Sequence, residues 1–121
     1  MSEPRSDRVV VQVPPTELGR QLEAGARLAL LDVREDDERA ICRIAPPEGV
    51  VDLHVPMGEI PVRLDEIEDA VGGLPVVVYC HHGMRSLMIS KWLAARGFRC
   101  GNLTGGIDAW AKEIDPSVAR Y

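Results

Sequence analysis

The sequence predicts an α/β fold in which helices flank a mainly parallel sheet. Short β-rich runs alternate with amphipathic stretches along the chain, the pattern of strand–helix–strand units. Two of those runs, Leu28–Val33 and Pro75–Cys80, are almost wholly apolar, as strands covered on both faces are. A hydrophobic content of 45% in 121 residues is enough for a packed core, and the length fits one domain over residues 1–121.

Taken in order, Val9–Val13 is a first strand, stopped by Pro14-Pro15. Thr16 is placed to cap a helix in which Leu18 and Leu22 share a face, ending near Gly25. Leu28–Val33 is a buried strand, and Asp36–Ile41 a short helix before a Pro-Pro-Glu-Gly turn at 46–49. Val51, Leu53 and Val55 alternate with polar partners, as in a half-buried edge strand. Ile60, Leu64, Ile67 and Val71 follow at helical spacing, and Pro75–Cys80 is the clearest strand. A helix over Ser86–Arg96 ends at Gly97, where a left-handed residue closes many helices. A strand over Arg99–Leu103, a Thr-Gly-Gly turn and a helix from Ile107 to Ile114 complete the chain.

Composition narrows the function. The net charge is −5, with 8 basic and 16 acidic residues in 1–71 but 6 basic and 3 acidic in 72–121. An acidic chain without a Lys/Arg run does not suit nucleic acid or anionic membranes, although the positive half suits a small anion. No stretch has the ~18 consecutive apolar residues of a membrane span. The polar start, MSEPRSDR, has no signal-like apolar region, so a cytoplasmic location is expected. Cys42, Cys80 and Cys100 have neither CxxC nor zinc-finger spacing and read as free thiols in a reducing compartment.

The chemistry concentrates in Val78-Tyr-Cys-His-His-Gly-Met-Arg-Ser86, where a strand delivers a cysteine into a short loop that feeds a helix. The carboxyl end of a parallel strand is where such sheets bind ligands. Loop N–H groups can converge into an anion-binding concavity, and the following helix turns its positive end to the same spot. Arg85 adds a permanent cation with a fork of donors. Each favours a thiolate over a thiol on Cys80, marking it as an activated nucleophile; the alternative is a small, inert residue packed at a strand end. No metal is expected at His81 and His82, because adjacent residues rarely face one ion and no carboxylate or cysteine completes a set. They line the loop and give it some pH sensitivity. His54 falls on a strand near the surface or pocket rim. Cys100 is read as packing, while Cys42 is either an exposed bystander or a second thiol that receives sulfur.

With those residues in view, the chain resembles rhodanese-domain sulfurtransferases over nearly its full length. The likeness rests on Leu31-Asp-Val-Arg-Glu35, the Val78-Tyr-Cys80 strand leading to Gly83 and Arg85-Ser86, Gly97-Phe98, and Asn102-Leu-Thr-Gly-Gly-Ile-Asp-Ala-Trp110. The resemblance implies a five-stranded parallel sheet flanked by helices, with the active loop after the fourth strand. It also implies a cofactor-free enzyme that moves sulfane sulfur through a persulfide on Cys80, with His81, His82, Gly83, Met84, Arg85 and Ser86 forming the substrate loop. Asp32 and Arg34 would brace neighbouring loops, and Trp110 would pack in the core. Four residues separate Cys80 from Arg85, similar to the loop of rhodaneses; phosphatases of the same fold carry five.

Two departures bear on the donor. Cys42-Arg-Ile-Ala-Pro-Pro47 stands where the family commonly has Gly-His-Ile-Pro-Gly-Ala, so no role is carried over for that segment. The loop also lacks the extra Arg or Lys of thiosulfate-directed enzymes, which favours a protein persulfide donor over thiosulfate. Ala109–Tyr121 and Val55–Pro61 are similar to rhodanese domains fused to ubiquitin-activating-type adenylyltransferases, which implies a ubiquitin-like sulfur carrier as acceptor in a sulfur relay. A non-catalytic interaction or redox-sensing module is the alternative, and a phosphatase the third.

Overall fold

A computed structural model describes residues 9–121; residues 1–8, on which the reading of the N-terminus rests, lie outside the described residues. The elements are β1 (Val11–Val13), α1 (Pro15–Glu23), β2 (Ala29–Asp32), α2 (Asp36–Ile41), β3 (Val51–His54), α3 (Leu64–Val71), β4 (Val76–Tyr79), α4 (Met84–Ala94), β5 (Cys100–Leu103) and α5 (Gly106–Glu113), with a 3-10 turn over Met57–Glu59 before α3. The five strands form one sheet in the order β1-β5-β4-β2-β3, and every neighbouring pair is parallel. Among the described residues no helix is long and apolar enough to cross a membrane.

Alternation along the central strands builds two cores. Leu31, Val76, Val78 and Cys80 point to the face covered by α3 and α4, against Ile67, Val71, Ile89 and Leu93. Leu30, Val77 and Tyr79 point to the opposite face, where α1 and α5 contribute Leu18, Ile107 and Trp110. Leu30 and Leu31 are adjacent yet both fully buried, which only a strand covered on both sides allows. Burying each stabilises the fold by about 1.5–3 kcal/mol. β3 is the half-buried edge that its alternation predicts.

Two helix starts differ from expectation. Thr16 does not cap α1: the helix begins at Pro15, behind an extended Pro14 at the cap, and no side chain bonds there. Proline suits that first position because its missing N–H has no intrahelical partner to lose. α4 begins at Met84 rather than near Ser86, since Gly83 takes φ 103° and turns the chain into the helix early. Arg85 and Ser86 therefore sit in the first turn of α4.

A buried ion pair ties the end of β2 to α2. Arg34 Nε and Nη2 donate to the two carboxylate oxygens of Asp32 at 2.9 and 2.7 Å, and both side chains are wholly buried. Arg34 also donates to the carbonyl of Cys42 at 2.7 Å and of Glu38 at 3.3 Å, so it closes the end of α2. The remodelled connection after it tucks in Ile44, whose N–H donates to the Tyr79 hydroxyl at 3.3 Å. Removing one partner of such a pair strands the other charge out of water. Asp32→Ala is expected to cost about 3–5 kcal/mol, read from urea unfolding; a loss under about 1 kcal/mol would show that the Tyr121 hydroxyl, the Glu38 and Cys42 carbonyls and water satisfy Arg34 without the carboxylate.

Candidate active site

Cys80 follows β4 directly, and its side chain is 99% removed from solvent, being 1% exposed. The backbone then doubles back so that Gly83 N–H donates to Cys80 Sγ at 3.1 Å and Ser86 N–H at 3.4 Å. Ser86 Oγ lies 3.3 Å from the same sulfur and donates to Asn102 Oδ1 at 2.6 Å. The Asn102 amide in turn donates to the Gly83 carbonyl at 3.2 Å and to Gln12 Oε1 at 3.1 Å. Two backbone N–H groups thus converge on one sulfur, one of them from the first turn of α4, where helix donors are otherwise unpaired. Backbone N–H groups that converge in this way form an anion-binding concavity.

The loop is held from the other side by α5. Ile107 N–H donates to the Cys80 carbonyl at 2.8 Å and Asp108 N–H to the His81 carbonyl at 3.1 Å. This grip requires Gly106, which has φ 64° and where a Cβ would press into the carbonyl oxygens of both Cys80 and His81. The sequence shows a Thr-Gly-Gly turn here; its role as a clasp on a loop some 25 residues earlier is visible only in the fold.

Arg85 differs from the expected free cation. Its guanidinium makes a two-pronged bond to the Glu38 carboxylate, at 2.7 and 2.8 Å. Glu38 also accepts from the Tyr121 hydroxyl at 2.9 Å, and that hydroxyl accepts from Arg34 Nη1 at 2.9 Å. One chain of bonds thus runs from the buried Asp32–Arg34 pair through Tyr121 and Glu38 to the loop. Glu38 and Tyr121 were not singled out by sequence; the signal available for Glu38 is its place as N3 in a capping box with Glu35.

His81 is sandwiched, its ring centroid 3.9 Å from those of both His82 and Tyr121. Burial, with His82 second, pushes the His81 imidazole below the usual histidine range, so the stacked ring favours the neutral form. The expectation that no carboxylate accompanies the two histidines is corrected: α5 brings Asp108 within metal-ligand range of both. The rings are stacked at 22°, however, so no single ion lies in both ring planes without one ring turning. Met84 and His82 face solvent.

The other candidates sit on other elements of the fold. Cys42 is part-buried at the end of α2, its Sγ 3.8 Å from Arg34 Nη1. Cys100 is buried in the α3/α4 core, and burial pushes its thiol up to about 12, which leaves it unreactive. Among the described residues no hydrogen bond joins either cysteine to Cys80. His54, at the end of β3, has Nε2 at 2.8 Å from the Arg34 carbonyl oxygen, and Trp110 packs in the α1/α5 core.

Two outcomes follow from this geometry. Gly106→Ala is expected to destabilise the protein by about 3 kcal/mol, combining a left-handed backbone with overpacking, and to slow alkylation of Cys80 if the loop shifts; unchanged melting would show that the clasp yields freely. The Arg85 bond, opposed by burial, holds the Glu38 carboxyl at about 2 instead of 4.5. A carboxyl lowered on folding contributes stability above pH 4.5 and loses it as pH falls towards 2. Glu38→Gln should therefore lie below wild type in urea stability at pH 6, with the gap closing near pH 2. A gap independent of pH would mean that packing, not charge, is lost.

The family profile of the rhodanese-like domain matches residues 14–113. A protein of Allochromatium vinosum named sulfurtransferase is 35% identical over 112 residues, covering 92% of this chain and 97% of that protein. A maize protein, adenylyltransferase and sulfurtransferase MOCS3-1, is 29% identical over 93 residues, covering 76% of this chain and 20% of its own. The crystal structure of a rhodanese-like domain protein from Staphylococcus aureus superposes with a TM-score of 0.72 at 26% identity, covering 93% of this chain and 99% of that one. With the profile spanning most of the sequence and the five-stranded sheet matching, the chain belongs to the rhodanese-like domain family.

Proposed function

We propose that this protein is a sulfurtransferase that carries sulfane sulfur as a persulfide on Cys80, within one cytoplasmic domain. The observation that carries the reading is the convergence of the Gly83 and Ser86 N–H groups on Cys80 Sγ, in a loop with four residues between cysteine and arginine. The kinship with proteins named sulfurtransferase supports it.

In the first half-reaction the Cys80 thiolate attacks the outer sulfur of a thiosulfate or persulfide donor. An Sγ–S bond forms and the donor's S–S bond breaks, its electron pair leaving on sulfite or on a thiolate that takes a proton from water. In the second half, a thiophilic acceptor attacks the terminal sulfur and Sγ leaves as thiolate. No net oxidation occurs. The loop N–H groups offset negative charge at each stage, and His81, His82, Met84 and Arg85 line the approach. Splitting one transfer in two predicts ping-pong kinetics. The kinship with an adenylyltransferase–sulfurtransferase makes a ubiquitin-like sulfur carrier the acceptor to test after small nucleophiles.

Cys80→Ser is expected to lower sulfur transfer to cyanide by at least about 100-fold with melting unchanged. It should also abolish the mass increase of one sulfur atom that donor treatment produces in wild type. Transfer near the wild-type rate in that variant would move the nucleophile to another cysteine and overturn the proposal.

A further inference from the structure

The only cation in the Cys80 loop does not face an incoming anion unpaired. Arg85 gives two of its donors to Glu38 at 2.7 and 2.8 Å, and the Glu38 side chain is itself only 16% exposed. Its carboxylate is further fixed by the Tyr121 hydroxyl and by the Glu35 N–H at 3.0 Å. Glu38 belongs to the acidic first turn of α2, with Asp36 and Asp37. A donor approaching Cys80 therefore meets a guanidinium whose charge is cancelled by a bidentate partner, beside further negative charge.

The two donor classes differ in how much they need a free cation. Thiosulfate arrives as a dianion, and when its S–S bond breaks the pair leaves on sulfite, again a dianion. An alkyl persulfide carries one charge on its sulfur, and its leaving thiolate is a monoanion that takes up a proton from water. We infer that Glu38 is a specificity-determining residue of the Cys80 site, selecting alkyl persulfides over thiosulfate by occupying Arg85. This rests on the persulfide-carrier reading of Cys80, and it extends that reading to a residue on another element, 47 positions from Arg85.

The test compares thiosulfate and cysteine persulfide as donors, with cyanide as acceptor, for wild type, Glu38→Gln, Glu38→Ala and Cys80→Ser. Glutamine preserves the acceptor of the capping box, so α2 should survive; alanine gives the same charge loss if the amide finds a new partner. Wild type is expected to show the higher kcat/KM with cysteine persulfide. Either neutral variant should raise kcat/KM for thiosulfate about tenfold, mainly through KM, with the gain shrinking at high salt as a charge effect must. Persulfide values should stay within about twofold. Adding Arg85→Ala to Glu38→Gln should remove the gain. An unchanged donor ratio in both neutral variants, or equal changes for both donors, would overturn the inference while an inert Cys80→Ser leaves the carrier reading standing. Transfer by Cys80→Ser would defeat that reading itself.

Discussion

The site depends on the docking of α5 against the loop after β4. A parallel strand ends with carbonyl groups that its neighbours no longer pair, and burying them bare would cost several kcal/mol. Here the carbonyls of Cys80 and His81 are met by the first free N–H groups of α5. With its carbonyls turned that way, the loop directs the Gly83 and Ser86 N–H groups towards the sulfur. One helix end thus orients the backbone, and the backbone aims two N–H groups at the cysteine sulfur. Glycines at 105 and 106, both at positive φ, let the helix approach closely enough.

A second frame acts sideways. The Asp32–Arg34 pair is fully enclosed, and its net stabilisation is small once desolvation is counted. Its value is positional: Arg34 reaches the end of α2 and Tyr121 together, and Tyr121 both stacks on His81 and bonds Glu38. The loop around Cys80 is therefore built from four separated parts of the chain.

Much of this was legible in the sequence, for identifiable reasons. Leu28–Val33 and Pro75–Cys80 announce buried strands because nothing but two-sided cover explains so many consecutive apolar residues, and the helix over Asp36–Ile41 appears with the predicted bounds. Cys80 stands out because a strand–cysteine–glycine–arginine–helix order is a local pattern. What stayed hidden is set by strand order. Glu38 meets Arg85, and Asp108 meets the two histidines, only because β2, β4 and β5 lie side by side. The early start of α4 turned on the conformation of Gly83, and the start of α1 on proline at a position where threonine looked the better signal.

The strand order also fixes when the site can come into being. β2 lies between β3 and β4, and these three strands can assemble once the chain has been made as far as Tyr79. β1 is different: its partner is β5, with Val11 opposite Gly101. On a ribosome that first strand waits for β5, and α5 emerges later still. Cys80 leaves the tunnel before the helix that clasps its loop. A nascent chain therefore exposes the Cys80 loop without its clasp until Ile107 and Asp108 have emerged to meet the Cys80 and His81 carbonyls.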